Sequence, residues 1–296
     1  MNLDQMTAKI ANDDGFIAAL DQSGGSTPKA LRGYGVEDTE WSGDDEMFAA
    51  IHAMRSRVIT SPCFANGKVL GAILFEKTMD GLVDGVPTPE ALKQRGVVPF
   101  IKVDQGLEDE VDGVQLMKEM TKLDALLDKA VAAGMFGTKM RSVIKSANAA
   151  GIAANVAQQF DYGNRIADKG LMPMLEPEFD ITATDRAEGE KILLAEIIKG
   201  LDSLPDGRKV MLKLSIPVEP NHYAPAIAHP NVLRVVALSG GYSTDDACEH
   251  LAKNPGMIAS FSRGLLQDLR KGQDDSEFDA VLGKAIDQIA TASAAG

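Results

Sequence analysis

A protonated lysine is no nucleophile, and both an apolar setting and neighbouring cations favour its neutral amine. One lysine, Lys213, interrupts the strand-length apolar run Val210-Met211-Leu212-Lys213-Leu214-Ser215-Ile216, which Pro217 then stops. An amine buried in such a run would attack a carbonyl carbon to give a carbinolamine and then an imine. Taken alone, the run is more simply a strand-end lysine that reaches solvent or pairs with a glutamate. The rest of the chain changes that balance, because seven further strand-like runs also end in polar residues. Their ends carry Asp21, Glu76, Lys102 with Asp104, Lys139 with Arg141, Glu176 with Glu178, Ser239 and Arg263. The paired residues are two apart, so both members of a pair can share one side of a strand. Lys102, Lys139 and Lys213 thus compete as nucleophile, and spacing does not choose among them. Glu176 has the right type and place for the proton transfers of carbinolamine formation and dehydration.

Two stretches have the chemistry of phosphate cradles. Leu238-Ser239-Gly240-Gly241-Tyr242-Ser243 precedes a helix expected from Thr244, and Ser262-Arg263-Gly264 follows the last strand. Backbone amides at a helix start, with an arginine beside them, favour an anion. Ser23-Gly24-Gly25-Ser26 with Lys29 forms a second candidate, which points to a small molecule with two phosphates. Each glycine loop alone is equally a tight turn. His52, His222, His229 and His250 show no paired-ligand spacing and none falls at a strand end, so no metal site is expected.

The elements that must hold these residues alternate. Strands are expected over 16–20, 69–75, 97–103, 138–144, 171–175, 210–216, 234–238 and 257–261. Helical patterns occupy 3–12, 44–58, 146–168, 185–203 and 275–292, with an amphipathic segment at 115–133. Continuous apolar strands alternating with helices imply a parallel sheet covered on its outside. Eight such units in about 250 residues predict a single-domain (β/α)8 barrel, whose C-terminal strand ends would gather every polar residue named above. A doubly wound open sheet is the alternative, weakened by the lack of a glycine-rich dinucleotide motif after the first strand.

Composition limits the partners. With 45% hydrophobic and 25% charged residues, the chain has ordinary material for a core. A net charge of −13 argues against nucleic acid, so any anionic substrate must be held by local cations. Cys63 and Cys248 are the only cysteines and lie far apart, which makes a disulfide framework or cysteine-based zinc site unexpected. No signal-like or membrane-spanning run is present, and a cytoplasmic protein is expected. Homo-oligomerisation is left open.

In order along residues 15–270, seven segments resemble class I fructose-bisphosphate aldolases of the short bacterial form. They are Ala19-Leu20-Asp21-Gln22-Ser23, Ile101-Lys102-Val103-Asp104, Lys139-Met140-Arg141, Met174-Leu175-Glu176-Pro177-Glu178, Leu212-Lys213-Leu214, Leu238-Ser239-Gly240-Gly241 and Ser260-Phe261-Ser262-Arg263. The resemblance implies a cytoplasmic lyase of glycolysis and gluconeogenesis, without metal or other cofactor. It would cleave fructose 1,6-bisphosphate into dihydroxyacetone phosphate and glyceraldehyde 3-phosphate through a lysine Schiff base. It implies Lys213 as imine former, Glu176 as proton carrier, and Asp21, assisted by Lys139 and Glu178, as base for carbon–carbon cleavage. Arg141 would supply positive charge and position the substrate. Ser239, Gly240, Gly241 and Arg263 would hold the phosphate beside the ketone, and Ser23, Ser26 and Lys102 the distal one. The sequence departs from the animal enzymes at Gln22 (glutamate there), Met140 (tryptophan) and Ala30 (arginine), and their C-terminal tyrosine has no counterpart. A lyase for another phosphorylated ketose, or a non-catalytic binding protein on the same barrel, are the rival expectations.

Overall fold

Eight buried strands roll into one parallel barrel in the computed structural model, which describes residues 1–295. They are β1 (Phe16–Leu20), β2 (Val69–Leu74), β3 (Val98–Lys102), β4 (Gly137–Ile144), β5 (Met172–Phe179), β6 (Val210–Ser215), β7 (Val232–Leu238) and β8 (Met257–Ala259), paired in that order. Every residue of β1, β2 and β6 is buried, as befits strands covered by helices outside and by the barrel's own filling inside. The first strand meets the segment that follows the last, the Ala19 amide donating to the Phe261 carbonyl at 3.3 Å, so the barrel is nearly closed and the open doubly wound alternative is excluded.

Alternation along each strand sorts side chains into two apolar bodies. Inward-facing Ile17, Phe100, Met174, Met211, Val236 and Ile258 form a buried cluster at the lower part of the barrel. The helix Leu3–Asn12, started by a reciprocal Asn2–Gln5 capping box, inserts Met6 and Ile10 into that cluster and closes the end where the strands begin. Outward-facing residues pack against the helices Gly43–Thr60, Ala149–Asp168, Arg186–Asp202 and Asp275–Ala295, among others. Two residues further along several strands, the inward positions turn polar: Lys102, Glu176, Lys213 and Ser260.

Three local differences from the sequence expectation have clear causes. The strand β5 runs on through Glu176-Pro177-Glu178 to Phe179 instead of stopping at Leu175. Over that stretch its ladder partner is β4, while β6 pairs only with Met174 and Leu175, so Pro177 costs no ladder bond on that side. Ser215 instead reaches across from β6, its hydroxyl accepting from the Phe179 amide at 3.0 Å and donating to the Phe179 carbonyl at 2.7 Å. The amphipathic segment 115–133 is helical only over Leu123–Ala132. Its first residues belong to a hairpin turned at Asp112-Gly113, and Val114–Gln115 pairs antiparallel with Val143 and Ile144. Asp112 and Gly113 have φ of 52° and 71°, the left-handed geometry that a two-residue Asp-Gly turn requires. A second Asp-Gly turn, at Asp84 and Gly85, joins the short strands Leu82–Val83 and Val86–Pro87. Finally, β2 does not deliver Glu76 to the barrel mouth. That residue begins the short helix Glu76–Met79 and pairs with Lys129 at 2.9 Å, in the half-exposed outer layer.

Among the described residues no helix is long and apolar enough to cross a membrane.

Candidate active site

The C-terminal strand ends surround a cavity of about 600 Å³. Along β4, Lys139 and Arg141 face inward two residues apart, and along β5 so do Glu176 and Glu178. In β6, Lys213 follows Met211 of the apolar cluster by one pleat and comes to lie directly above it. Asp21 sits one residue beyond β1. These six residues, which the sequence singles out for catalysis, all line the cavity.

Four of them form a buried chain of alternating charge. Lys213 Nζ lies 3.0 Å from Glu176 Oε1, Glu176 Oε2 lies 2.9 Å from Lys139 Nζ, and Lys139 Nζ lies 2.7 Å from Asp21 Oδ2. The Glu176 Oε2 contact is an ion pair without hydrogen-bond alignment. Burial alone would raise the Asp21 pKa, but Lys139, Lys213 and Lys102 outweigh it and hold this carboxyl well below the usual range. Burial likewise opposes the charge of Glu176, yet Lys139 and Lys213 lower its pKa. For Lys139 burial favours the free amine, and Asp21, Glu176 and Asp104 reverse this, keeping the ammonium far more basic than normal. Lys139 is therefore a fixed cation and a poor nucleophile. Lys213 touches one carboxylate rather than two.

Above this chain Arg141 Nε donates to Glu178 Oε2 at 2.5 Å, and its backbone amide donates to Asp104 Oδ2 at 3.2 Å. Burial disfavours the Arg141 charge, but the bond to Glu178 and the nearby carboxylates raise its pKa, so it stays cationic. The third lysine stands apart. Lys102 Nζ donates to both the carbonyl and Oδ1 of Asp104, each at 2.7 Å, and does not line the cavity.

The anion-binding candidates divide in the same way. Ser239, Gly240, Gly241 and Arg263 all line one wall. Gly240 and Gly241 have φ of 60° and 123°, and a Cβ on Gly240 would stand 2.7 Å from Ile181, so this loop needs glycine for both conformation and space. The helix Thr244–Leu251 follows at once, capped by Ser243, whose hydroxyl accepts from the Asp246 amide at 3.1 Å. Across the mouth Ser26 and Lys29 line the cavity and Ser23 does not. Ser26 is the hinge of that loop: its hydroxyl accepts from the Ser23 amide at 3.0 Å and donates to the Ser23 carbonyl at 2.8 Å. Among the described residues neither Lys29 nor Arg263 has a carboxylate partner, leaving two uncommitted cations at the rim.

The structure adds residues that the sequence reading passed over. Gln22 and Ser260 line the cavity, beside Ser262 of the expected phosphate cradle. Gln22 is held by the fully buried Arg55, which donates to its carbonyl at 2.6 Å and to its side-chain oxygen at 3.0 Å. Desolvation lowers the Arg55 pKa to about 10, against the pull of Asp21. The Gln22 amide nitrogen in turn donates to Ser262, tying β1 to the segment after β8. A signal was present, since Arg55 falls four residues after Ile51 on the helix face of Met47, Met54 and Val58, where a charge demands partners. None of the four tyrosines lines the cavity. Among the described residues no group of three or more His, Cys, Asp and Glu side chains is disposed to hold a metal ion.

Comparison with known proteins gives concordant results. The family model for class-I fructose-bisphosphate aldolase matches residues 2–202, a span that includes Asp21, Lys139, Arg141, Glu176 and Glu178 and ends before Lys213. The fructose-bisphosphate aldolase of Plasmodium falciparum, solved in complex with TRAP and a small-molecule inhibitor, superposes with a TM-score of 0.80 at 20% identity, over 99% of this chain and 94% of that one. A Corynebacterium glutamicum protein superposes more loosely, with a TM-score of 0.55 at 14% identity over 98% and 92% of the two chains. At such identities the superpositions establish the barrel, and the family rests on the matched residues 2–202.

Proposed function

Because the chain belongs to the class-I fructose-bisphosphate aldolases, we propose that it cleaves fructose 1,6-bisphosphate reversibly through an imine on Lys213. The observation that carries this reading is the buried contact of 3.0 Å between Lys213 Nζ and a Glu176 carboxylate that Lys139 keeps ionised.

Glu176 removes a proton from Lys213, whose amine adds to the ketone carbon; the carbinolamine oxygen then takes up protons and leaves as water. The resulting iminium is the electron sink. Asp21, anionic because of its lysine neighbours, accepts the proton of the hydroxyl on the carbon four places along the sugar. As that proton leaves, the carbonyl of the aldehyde product forms, the adjacent carbon–carbon bond breaks, and its electron pair flows to the iminium nitrogen to give an enamine. Lys139 stabilises the charges on Asp21 and Glu176 throughout, and Arg141, held by Glu178, supplies fixed positive potential. The enamine carbon is reprotonated and water hydrolyses the imine to release dihydroxyacetone phosphate. With no tyrosine in the cavity, Glu176 acting through water is the group we assign to that reprotonation. Ser239, Gly240, Gly241 and Arg263 receive the phosphate beside the ketone, while Ser26 and Lys29 face the distal one. No step requires a metal. We take the whole chain as one cytoplasmic catalytic unit.

Reduction with borohydride in the presence of dihydroxyacetone phosphate should label the protein irreversibly, and peptide mapping should place the adduct on Lys213. An adduct on Lys102 or Lys139, or none, overturns the mechanism. A panel of phosphorylated ketoses then tests the substrate.

A further inference from the structure

The strand that carries Lys213 and the loop that presents Ser239, Gly240 and Gly241 come from different βα units, yet one buried side chain joins them. Arg186, the first residue of the helix Arg186–Asp202, donates from Nη1 to the Tyr242 hydroxyl at 3.3 Å and from Nη2 to the Ile216 carbonyl. Its Nε donates to Glu190 Oε1 at 2.7 Å, and Glu190 Oε2 accepts from the Val218 amide at 2.9 Å. The pair thus grips the chain on both sides of Pro217, immediately beyond β6. Tyr242 closes the glycine loop, its amide donating to the Ser239 carbonyl at 3.0 Å and its ring standing 5.0 Å from that of His250. A guanidinium at a helix start opposes the helix dipole, and burying it with a carboxylate adds desolvation, so packing alone is a poor reason for this arrangement.

We infer that Arg186 is a positioning residue, setting the span between Lys213 and the glycine loop. The inference rests on the reading that Lys213 forms the imine and the loop takes the adjacent phosphate. In a ketose 1-phosphate only one carbon and one oxygen separate the ketone carbon from phosphorus. The two halves of the site must therefore be held at one fixed separation, and a loosened loop would bring the ketone to Nζ less often. A ketone without phosphate makes no use of the loop and is indifferent to it.

Two variants test this. Tyr242→Phe removes only the loop arm, and Arg186→Lys keeps a cation against Glu190 but cannot serve all three acceptors. Borohydride trapping is followed against concentration of dihydroxyacetone phosphate and, separately, of dihydroxyacetone. For Tyr242→Phe the half-saturating concentration of the phosphorylated ketone should rise about three- to tenfold, with that of dihydroxyacetone unchanged within about twofold. Arg186→Lys should raise the phosphorylated value further. Equal changes for both ketones, or none for either, overturn the inference and leave Arg186 a structural ion pair. A wild-type protein trapped by neither ketone overturns the aldolase reading and the inference with it, whereas wild-type trapping without the phosphate-selective effect overturns the inference alone.

Discussion

Replacing Lys139 with methionine keeps the volume of the side chain and removes the one cation that touches both Asp21 and Glu176. In the native protein its Nζ lies 2.7 Å from the first carboxylate and 2.9 Å from the second, and all three side chains are buried. Deleting one partner of a buried pair costs about 3–5 kcal/mol, since the remaining charge is left uncompensated. That is a large part of the roughly 5–15 kcal/mol that holds a folded protein together. The pH dependence follows from the two carboxyls. In the wild type both folded pKa values lie below the unfolded ones, so both stabilise the fold above about pH 4 and lose that contribution as the pH falls through the folded values. Without Lys139, burial is opposed only by Lys213, with Lys102 for Asp21 and Arg141 for Glu176, so both pKa values rise and each charge stabilises the fold less at neutral pH than in the wild type. The deficit of Lys139→Met should thus be greatest near neutrality and shrink on acidification. Urea unfolding of both proteins at about pH 7.5 and about pH 4.5 measures it. A deficit below about 1 kcal/mol, or one that does not change between these pH values, would refute the role of Lys139 as shared counter-ion.

Four further outcomes are expected. Arg263→Ala should lower kcat/KM about ten- to a hundredfold for both fructose 1,6-bisphosphate and fructose 1-phosphate, whereas Lys29→Ala should weaken the bisphosphate selectively, as steady-state kinetics on the two substrates will show. Lys102→Ala should harm both substrates alike, because Lys102 is committed to Asp104 and does not line the cavity, and a loss confined to the bisphosphate would restore it as a distal phosphate ligand. Cleavage activity should survive dialysis against a strong chelator, and loss restored by zinc would count against the imine mechanism. Met211→Ala, which hollows the apolar layer beneath Lys213, should cost about 2–5 kcal/mol in urea unfolding; a cost near zero would mean that the layer repacks.

The barrel was legible because its strands are continuous apolar runs of strand length, and helices of ordinary periodicity separate them. The charges that line the cavity were legible for a related reason: Lys213 interrupts such a run, and Lys139 and Glu176 stand at the ends of others. What the runs do not show is where the chain goes after the strand. Glu76 and Asp104 both follow apolar strands, yet the chain carries Glu76 outward to Lys129 while Asp104 turns back to hold Lys102 and the Arg141 amide. Spacing left three lysines equivalent; the structure distinguishes them, holding Lys139 between the carboxylates of Asp21 and Glu176 and Lys102 against Asp104. The Asp84-Gly85 and Asp112-Gly113 hairpins carried a readable turn signal, which at Asp112-Gly113 the amphipathic pattern over 115–133 obscured. The link from Arg55 through Gln22 to Ser262 spans 240 positions between its last two members and has no sequence signature beyond one misplaced charge.

The order of layers inside the barrel explains why so many charges can be buried together. Met211 leads to Lys213 and Met174 to Glu176, so the charged level rests on a closed apolar one that the N-terminal helix seals from below. At this buried level the charges satisfy one another: two lysines against Asp21 and Glu176, then Arg141 against Glu178. Such pairing is a weak source of stability but a strong source of fixed orientation, and dipoles that need not reorganise are what a developing charge requires. The two rim cations left without partners, Lys29 and Arg263, do not belong to this buried balance. They are free to meet phosphate, which is how a chain of net charge −13 can still present a locally attractive entrance to an anionic sugar.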